Sequence, residues 1–346
     1  MRIAQVAPQV VPVPPTEYGG TERIVHTLTE ELVALGHDVT LFASGGSRTE
    51  AELHSTSPEP LWESGADALA WHAIEVEELV QRSGEFDVIH SHLDVLPWLA
   101  GDRYQAPLVT TMHGRLDMPE TRELLARFDQ WPLVSISNSQ RRPVQDLNLN
   151  WVATVYHGLD LENMYSLGKG DGGYLAFVSR IAPEKGVHVA IKTAIEAGMR
   201  IKVAGPVPEG HKDYFEKEVK PLLDNKLVEM VGELDDKGKN EMIGAAAGFL
   251  VPIQWDEPFG LAFIEALATG TPLISIERGS LPELIENGRH GFLVKDNSEL
   301  LDAVKKIDSI DRSECRRWVV ERFSPRAMAN GYEAVYGQLI EEKRAA

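Results

Sequence analysis

Glu257-Pro258-Phe259-Gly260-Leu261-Ala262-Phe263-Ile264-Glu265-Ala266-Leu267-Ala268-Thr269-Gly270-Thr271-Pro272 is the stretch that decides the fold. It follows an apolar run, Gly248-Phe249-Leu250-Val251-Pro252-Ile253, which reads as a buried strand. Gly260 then opens a helix to about Ala268, and Gly270 and Pro272 stop it. Leu273-Ile274-Ser275-Ile276 reads as the next strand. The unit is therefore strand, loop, helix, strand. Its loop lies at the carboxyl end of a strand and the amino end of a helix, where open α/β sheets hold their ligands. The first helical amides have no intrahelical partner and carry partial positive charge, which suits a phosphate.

Glu257 and Glu265 bracket the unit, and on an ideal helix they would stand ~80° apart around the axis and ~12 Å along it. That spacing does not make an acid/base pair. It fits two contacts on one long ligand, because carboxylates accept well from vicinal hydroxyls. The plainer alternative is a capping glutamate plus a solvated helix glutamate. The Pro-Phe-Gly-Leu between them and the Ala-Thr-Gly-Thr-Pro after them weigh against it.

This stretch resembles the E-x7-E signature of the family 4 retaining glycosyltransferases. That resemblance implies an α/β chain of GT-B type, with two Rossmann-like parallel-sheet domains facing across a cleft. It also implies an enzyme that takes a sugar from a nucleotide diphosphate. In the family the first glutamate binds hexose hydroxyls and the second binds the ribose. Those roles fall on Glu257 and Glu265, with the amides of Phe259, Gly260 and Leu261 on the sugar and distal phosphate. Gly232 to Leu234 would lie by the base.

The rest of the chain alternates β and α in two series, which predicts parallel sheets covered on both faces. Arg2–Ala7 is the first strand, and a Pro-rich loop ends in Tyr18-Gly19-Gly20. Ile24, Leu28, Leu32 and Leu35 then take helical spacing. Glycines at that helix entrance let backbone amides approach an anion. The resemblance puts Gly19 and Gly20 near the donor phosphates. Further strands are expected at 39–43, 86–90, 107–112, 133–137 and 154–158, with residues 44–65 as loop. His113 ends one of these strands, and a family histidine at this point contacts the donor sugar near the reacting centre. His90-Ser91-His92-Leu93-Asp94 invites a metal reading, but Val95 stands where a further histidine is needed. A packed or helix-capping pair of histidines is the better expectation.

Residues 159–173, rich in glycine, read as linker and turn. The expected division is 1–160 as the acceptor-side domain and 161–323 as the nucleotide-sugar domain. Residues 324–346 would form a helix crossing back to the first domain. The second series opens with Tyr174–Val178, and its first loop carries Arg180 and Lys185 in an R-x4-K-G pattern. A departing nucleotide diphosphate develops negative charge that something positive must meet. D-x-D clusters are absent from the strand ends, so these two cations, matched to the family's diphosphate pair, take that task. The implied site holds no metal and no cofactor beyond the donor.

Composition narrows the partners. The net charge of −19 argues against nucleic acid and against electrostatic docking on an anionic membrane. No segment approaches the ~20 apolar residues of a membrane span. Cys315 stands alone, so no internal disulfide forms, and Met1–Pro8 is too short an apolar run for an export signal. A cytoplasmic location is expected. Residues 116–131 mix arginines with acids and do not make a basic membrane face, which favours a small soluble acceptor. The reading is a retaining, metal-independent transfer of a hexose, with UDP-glucose the best guess, to a hydroxyl acceptor. The rivals are a GT-B nucleotide-sugar epimerase and a non-enzymatic two-domain sugar-binding protein.

Overall fold

The computed structural model describes residues 1–16 and 19–345. Tyr18, read above as the end of the Pro-rich loop, and Ala346 lie outside them. The chain forms two units, Met1–Leu159 with the segment from Ser324 onward, and Asp160–Phe323.

The first unit is built on a parallel sheet of β1 (Arg2–Val6), β2 (Asp38–Phe42), β3 (Glu52–His54), β4 (Val88–Ser91), β5 (Leu108–Met112), β6 (Leu133–Ser135) and β7 (Trp151–Thr154). Their order is β3-β2-β1-β4-β5-β6-β7. Ile3, Leu41, Val88 and Ile89 are fully buried, as expected of strands covered on both faces. Helix α1 (Gly20–Ala34) buries Ile24, Leu28 and Leu32, the residues whose spacing predicts it. Helix α2 (Ala68–Arg82) starts on an Asp67 side chain that accepts from the amides of Leu69 and Ala70. The strand expected at 154–158 lies three residues earlier. Trp151 pairs with Leu133 and Ala153 with Val134, so Val152 is an extra residue that shifts the register. The loop expected over 44–65 contains β3, an exposed edge strand whose polar residues hide it from an apolar pattern.

The second unit carries β8 (Tyr174–Val178), β9 (Arg200–Ala204), β10 (Val228–Gly232), β11 (Gly248–Leu250), β12 (Leu273–Ile276) and β13 (Gly291–Val294) in the order β10-β9-β8-β11-β12-β13, all parallel. Its helices include α3 (Val187–Glu196), α4 (Asp236–Ala245) and α5 (Leu261–Ala268). Further along come α6 (Leu300–Lys306) and α7 (Arg312–Arg322). The glycine-rich stretch expected to be a linker is instead bound to this unit. The amides of Gly168, Gly170 and Gly172 donate to the carbonyls of Thr269, Gly244 and Ala245. The Arg312 guanidinium ties the carbonyls of Gly168, Gly244 and Ala246 together.

The last helix, α8 (Pro325–Ala345), belongs to the first unit. It buries Met328, Tyr332, Tyr336 and Leu339. An ion pair of Arg326 with Glu31 at 2.8 Å and a hydrogen bond between His37 Nε2 and Glu333 at 2.9 Å flank it. No helix among the described residues is long and apolar enough to cross a membrane.

Candidate active site

In the second unit the strand order reverses between β8 and β11, because β9 lies on one side of β8 and β11 on the other. Ligands of open α/β sheets bind outside the carboxyl ends of the strands at such a point. The two loops that leave those ends are the ones singled out by sequence. Arg180 and Lys185 follow β8, and Glu257 follows β11.

The two loops meet. Lys185 Nζ forms an ion pair with Glu257 Oε2. Trp255 Nε1 donates to the same oxygen at 3.1 Å, and its ring lies 5.0 Å from the Lys185 ammonium. One carboxylate and one cation are thus mutually oriented, with an aromatic face beneath the cation. Gly186 permits the approach: its φ is +72°, and a Cβ there would stand 2.1 Å from the Pro252 carbonyl oxygen. The Glu257 backbone is held from the next loop, where the Ser280 amide donates to its carbonyl at 3.0 Å. Arg180 is further out. It reaches Glu184 at 3.6 Å and its side chain is 43% exposed.

Helix α5 begins directly after this loop. Gly260 is its N-cap at φ +92°, and a Cβ there would meet the Phe263 ring at 2.4 Å. The helix buries Phe263, Ile264, Ala266 and Leu267. Its leading amides, at Leu261 and Ala262, have no acceptor within the helix. They point the positive end of the helix at the loop that carries Glu257.

Glu265 is not a solvated helix glutamate. It is 5% exposed, accepts from Tyr165 Oη at 3.1 Å and is paired with Lys239 Nζ at 3.1 Å. Burial lowers the Lys239 ammonium's proton affinity, but Glu265 and Asp236 outweigh that and hold its pKa above the usual lysine value. Tyr165 and Lys239 carry no sequence signal for this role, since they stand 100 and 26 residues from Glu265.

Gly232 ends β10, and its carbonyl accepts from the Gly205 amide at 2.8 Å. Leu234 lines a pocket of about 330 Å³ with Tyr174, Lys202, Val231, Glu241 and Met242. That pocket contains none of Arg180, Lys185, Glu257 or Glu265. Tyr174 stands at the amino end of β8, away from the carboxyl edge where the ligand loops emerge.

In the first unit the corresponding reversal lies between β1 and β4. Gly19 and Gly20 sit at the start of α1, and a Cβ on Gly19 would meet Pro15 Cβ at 2.7 Å. Close packing therefore calls for glycine at Gly19. His113 leaves β5 and hydrogen-bonds His92 across 2.8 Å, while its other face stacks on His157 with ring centroids 5.2 Å apart. Burial pushes the His113 pKa down to about 4, so the ring is neutral at neutral pH. His90 and His92 are the packed pair expected from sequence. Both are buried and hydrogen-bonded, and no metal-ligating group of three or more side chains occurs among the described residues.

Comparison with known proteins gives the family and the fold. The family model described as Glycosyltransferase Family 4 matches residues 18–163, and the one described as Glycosyl transferases group 1 matches residues 162–321. A glycogen synthase from Mycobacterium tuberculosis is 28% identical over 350 residues, covering 85% of this chain and 83% of its own. The structure of Anabaena HepE in complex with UDP and glucose superposes with a TM-score of 0.75 at 18% identity, over 97% of this chain and 99% of that one. A sucrose-phosphate synthase from Thermosynechococcus elongatus gives a TM-score of 0.77 at 19% identity, over 99% of both chains. With one model on each half and GT-B neighbours over its whole length, the chain belongs to the family 4 glycosyltransferases and is a glycosyltransferase of GT-B fold.

Proposed function

We propose that the protein transfers a hexose from a nucleotide diphosphate sugar, UDP-glucose first among candidates, to a hydroxyl acceptor. Anomeric configuration is retained and no metal is needed. The observation that carries this reading is the meeting of Lys185, Glu257 and the amino end of α5 at the β8/β11 reversal. An ammonium has three donors. One is used on Glu257, and the others are available to diphosphate oxygens. Arg180 and the leading amides around Phe259, Gly260 and Leu261 add to that positive field. Glu257 takes the hexose hydroxyls and Glu265 the ribose. Gly232 and Leu234 lie by the base. Gly19 and Gly20 approach the phosphates, and His113 contacts the sugar.

The chemistry follows from what Glu257 is engaged with. A carboxylate paired with a lysine and bonded to an indole N–H is a poor nucleophile. A covalent glycosyl-enzyme is therefore disfavoured, and the two-carboxylate hydrolase scheme lacks its second group. In the step proposed, the bond from the anomeric carbon to the phosphate oxygen breaks. The acceptor oxygen bonds that carbon on the same face, and the acceptor proton passes to the departing phosphate. UDP and glucose in the HepE structure support the choice of donor. A small acceptor is favoured because Arg115, Arg122 and Arg127 are each paired with an acid and offer no basic face to lipid headgroups.

The test is incubation with a panel of nucleotide sugars, with and without hydroxyl acceptors. Release of UDP from UDP-glucose only when acceptor is present, with an α-linked product by NMR, is expected. An inverted product, or an epimerised sugar in the absence of acceptor, overturns the reading.

A further inference from the structure

Gln5 lies on the central strand of the first sheet, paired with Leu41 on one side and His90 on the other, and is fully buried. An apolar residue would fill that position without the cost of burying an amide. What the amide does is join two sets of side chains. Its Nε2 donates to Tyr336 Oη of α8 at 2.9 Å, and its Oε1 lies 2.9 Å from His92 Nε2. His92 Nδ1 in turn lies 2.8 Å from His113 Nε2. Beyond Tyr336 the chain continues to His90 Nδ1 at 2.7 Å, then from His90 Nε2 to Thr111 Oγ1 at 2.7 Å.

This order of contacts has one consequence for protons. An amide oxygen only accepts, so His92 Nε2 must carry the hydrogen. Burial, with His90, His113 and His157 close by, holds the His92 pKa well below its usual value, so that ring is neutral and its Nδ1 is bare. A bare Nδ1 accepts, and His113 Nε2 must therefore donate to it. His113 is neutral as well, which leaves its Nδ1 as a lone pair. The His157 ring, inclined by 14°, holds the plane of His113 from the side.

We propose that Gln5 is a positioning residue: through His92 it fixes His113 as the Nε2–H tautomer, so that Nδ1 accepts a hydrogen bond from a sugar hydroxyl. Tyr336 orients the amide in turn, because its one hydroxyl hydrogen goes to His90 Nδ1 and its oxygen accepts from the amide, which makes the last helix of the chain part of the device. The role given to His113 rests on the function proposed above, whereas the tautomer is a property of the protein alone.

The experiment uses full-length protein labelled with ¹⁵N-histidine. Two-bond ¹⁵N–¹H correlations distinguish the two tautomers of each ring. The wild type is expected to show Nε2–H for both His92 and His113. Gln5→Met should give mixed tautomers at both rings and lower kcat on the order of 10²-fold, the cost of a misoriented reacting group, with the donor KM held. Gln5→Glu sets a carboxylate against His92 Nε2 and favours the imidazolium; its Nδ1–H then donates to His113 Nε2, so His113 should turn to the Nδ1–H tautomer and kcat should stay low. Tyr336→Phe, a milder change on α8, should also mix the tautomers, and it serves if Gln5→Met does not fold. An Nδ1–H His113 in the wild type overturns the proposal. So does an unchanged tautomer in both Gln5→Met and Tyr336→Phe, or full kcat in a variant whose tautomer is lost. If the tautomers behave as expected while His113→Ala transfers sugar at the wild-type rate, the reading of His113 falls and the relay stands.

Discussion

The carboxyl edges of the two sheets carry polar groups of different kinds. In the first unit they are neutral: Gln5, His90, His92, Thr111, His113 and Tyr336 form a chain of hydrogen bonds without a formal charge. In the second they are charged and compensated: Lys185 with Glu257, Lys239 with Glu265. Each arrangement solves the same problem, since a buried polar group must be satisfied. They fail differently. A neutral chain holds a direction, set by which atom donates, and is broken by one added proton. An ion pair holds no direction but leaves a buried charge when one partner is lost. A family that must hold a diphosphate gains from the second kind near the phosphate, where positive charge is needed.

The sharpest way to break the ion-pair side is Lys185→Ala. It removes the cation proposed to meet the leaving group and strands Glu257. Turnover is expected to fall by about 10²–10³-fold, the scale of losing one preorganised group at a developing charge. Steady-state kinetics measures it, and a loss below tenfold would show that Lys185 does not meet the diphosphate.

Acid should break the other side. His90, His92, His113 and His157 all have pKa values depressed by burial. A histidine depressed on folding binds its proton more tightly when unfolded, so its stabilisation is present above pH 6.5 and is lost as pH falls toward the folded pKa. For His113, with a folded value of about 4, that amounts to about 3 kcal/mol. Glu75 opposes this from pH 4.5 to about 8, because burial raises its pKa and the folded state holds the proton. Burial raises Glu22 and Asp94 in the same direction. The histidines outnumber them near pH 5. In the second unit Lys239, raised on folding, contributes below its unfolded pKa and is lost only in alkali. Thermal unfolding followed from pH 7 to pH 4 should show the first unit failing first, with a shallower slope in His113→Gln. An acid-stable first unit would contradict the neutral histidine chain.

Glu265→Ala and Glu257→Ala separate the two pairs within the second unit. If Glu265 holds the ribose, its loss should weaken UDP about tenfold to a hundredfold, the scale of a hydrogen bond to a charged group. Glu257→Ala should spare UDP affinity and reduce turnover. Calorimetry on both variants decides; equal losses of nucleotide affinity end the division of labour.

How much of this was legible before folding depends on sequence distance. The strand at Leu273–Ile276, the cap at Gly260 and the ligand loop before it are local patterns, and the structure has them where the pattern puts them. The partner of Glu257 lies 72 residues away and that of Glu265 lies 26 away, so no window shows that either glutamate is paired. The strand near residue 154 was misplaced because an extra residue at Val152 is invisible to alternation. β13 was missed because Gly291 and three apolar residues stand between polar runs at 286–290 and 295–299, which hide the strand. Nothing local sets Gln5 apart within its strand. Only the packing of α8, more than 300 residues later, gives its amide a direction.

The smallest expected effect is that of EDTA, and it tests whether the charged unit suffices. A metal-dependent transferase uses its ion to neutralise the departing diphosphate. Here Lys185 stands fixed by Glu257 and Trp255, Arg180 is on the same loop, and α5 directs its amino end at the same place. Lys185 and the amino end of α5 are held in place, so they need little reorganisation as charge develops. Transfer from UDP-glucose should therefore proceed at the same rate after exhaustive treatment with EDTA. Added Mg²⁺ or Mn²⁺ should change the rate only through free UDP, which both ions bind. The informative combination is Lys185→Ala with and without Mg²⁺. If protein cations carry the whole load, the ion will restore little, because no group of three or more metal-ligating side chains stands among the described residues to place it. A wild type that stops in EDTA and resumes with Mg²⁺ would mean that the diphosphate brings a metal with it, and that Lys185 and Arg180 only assist.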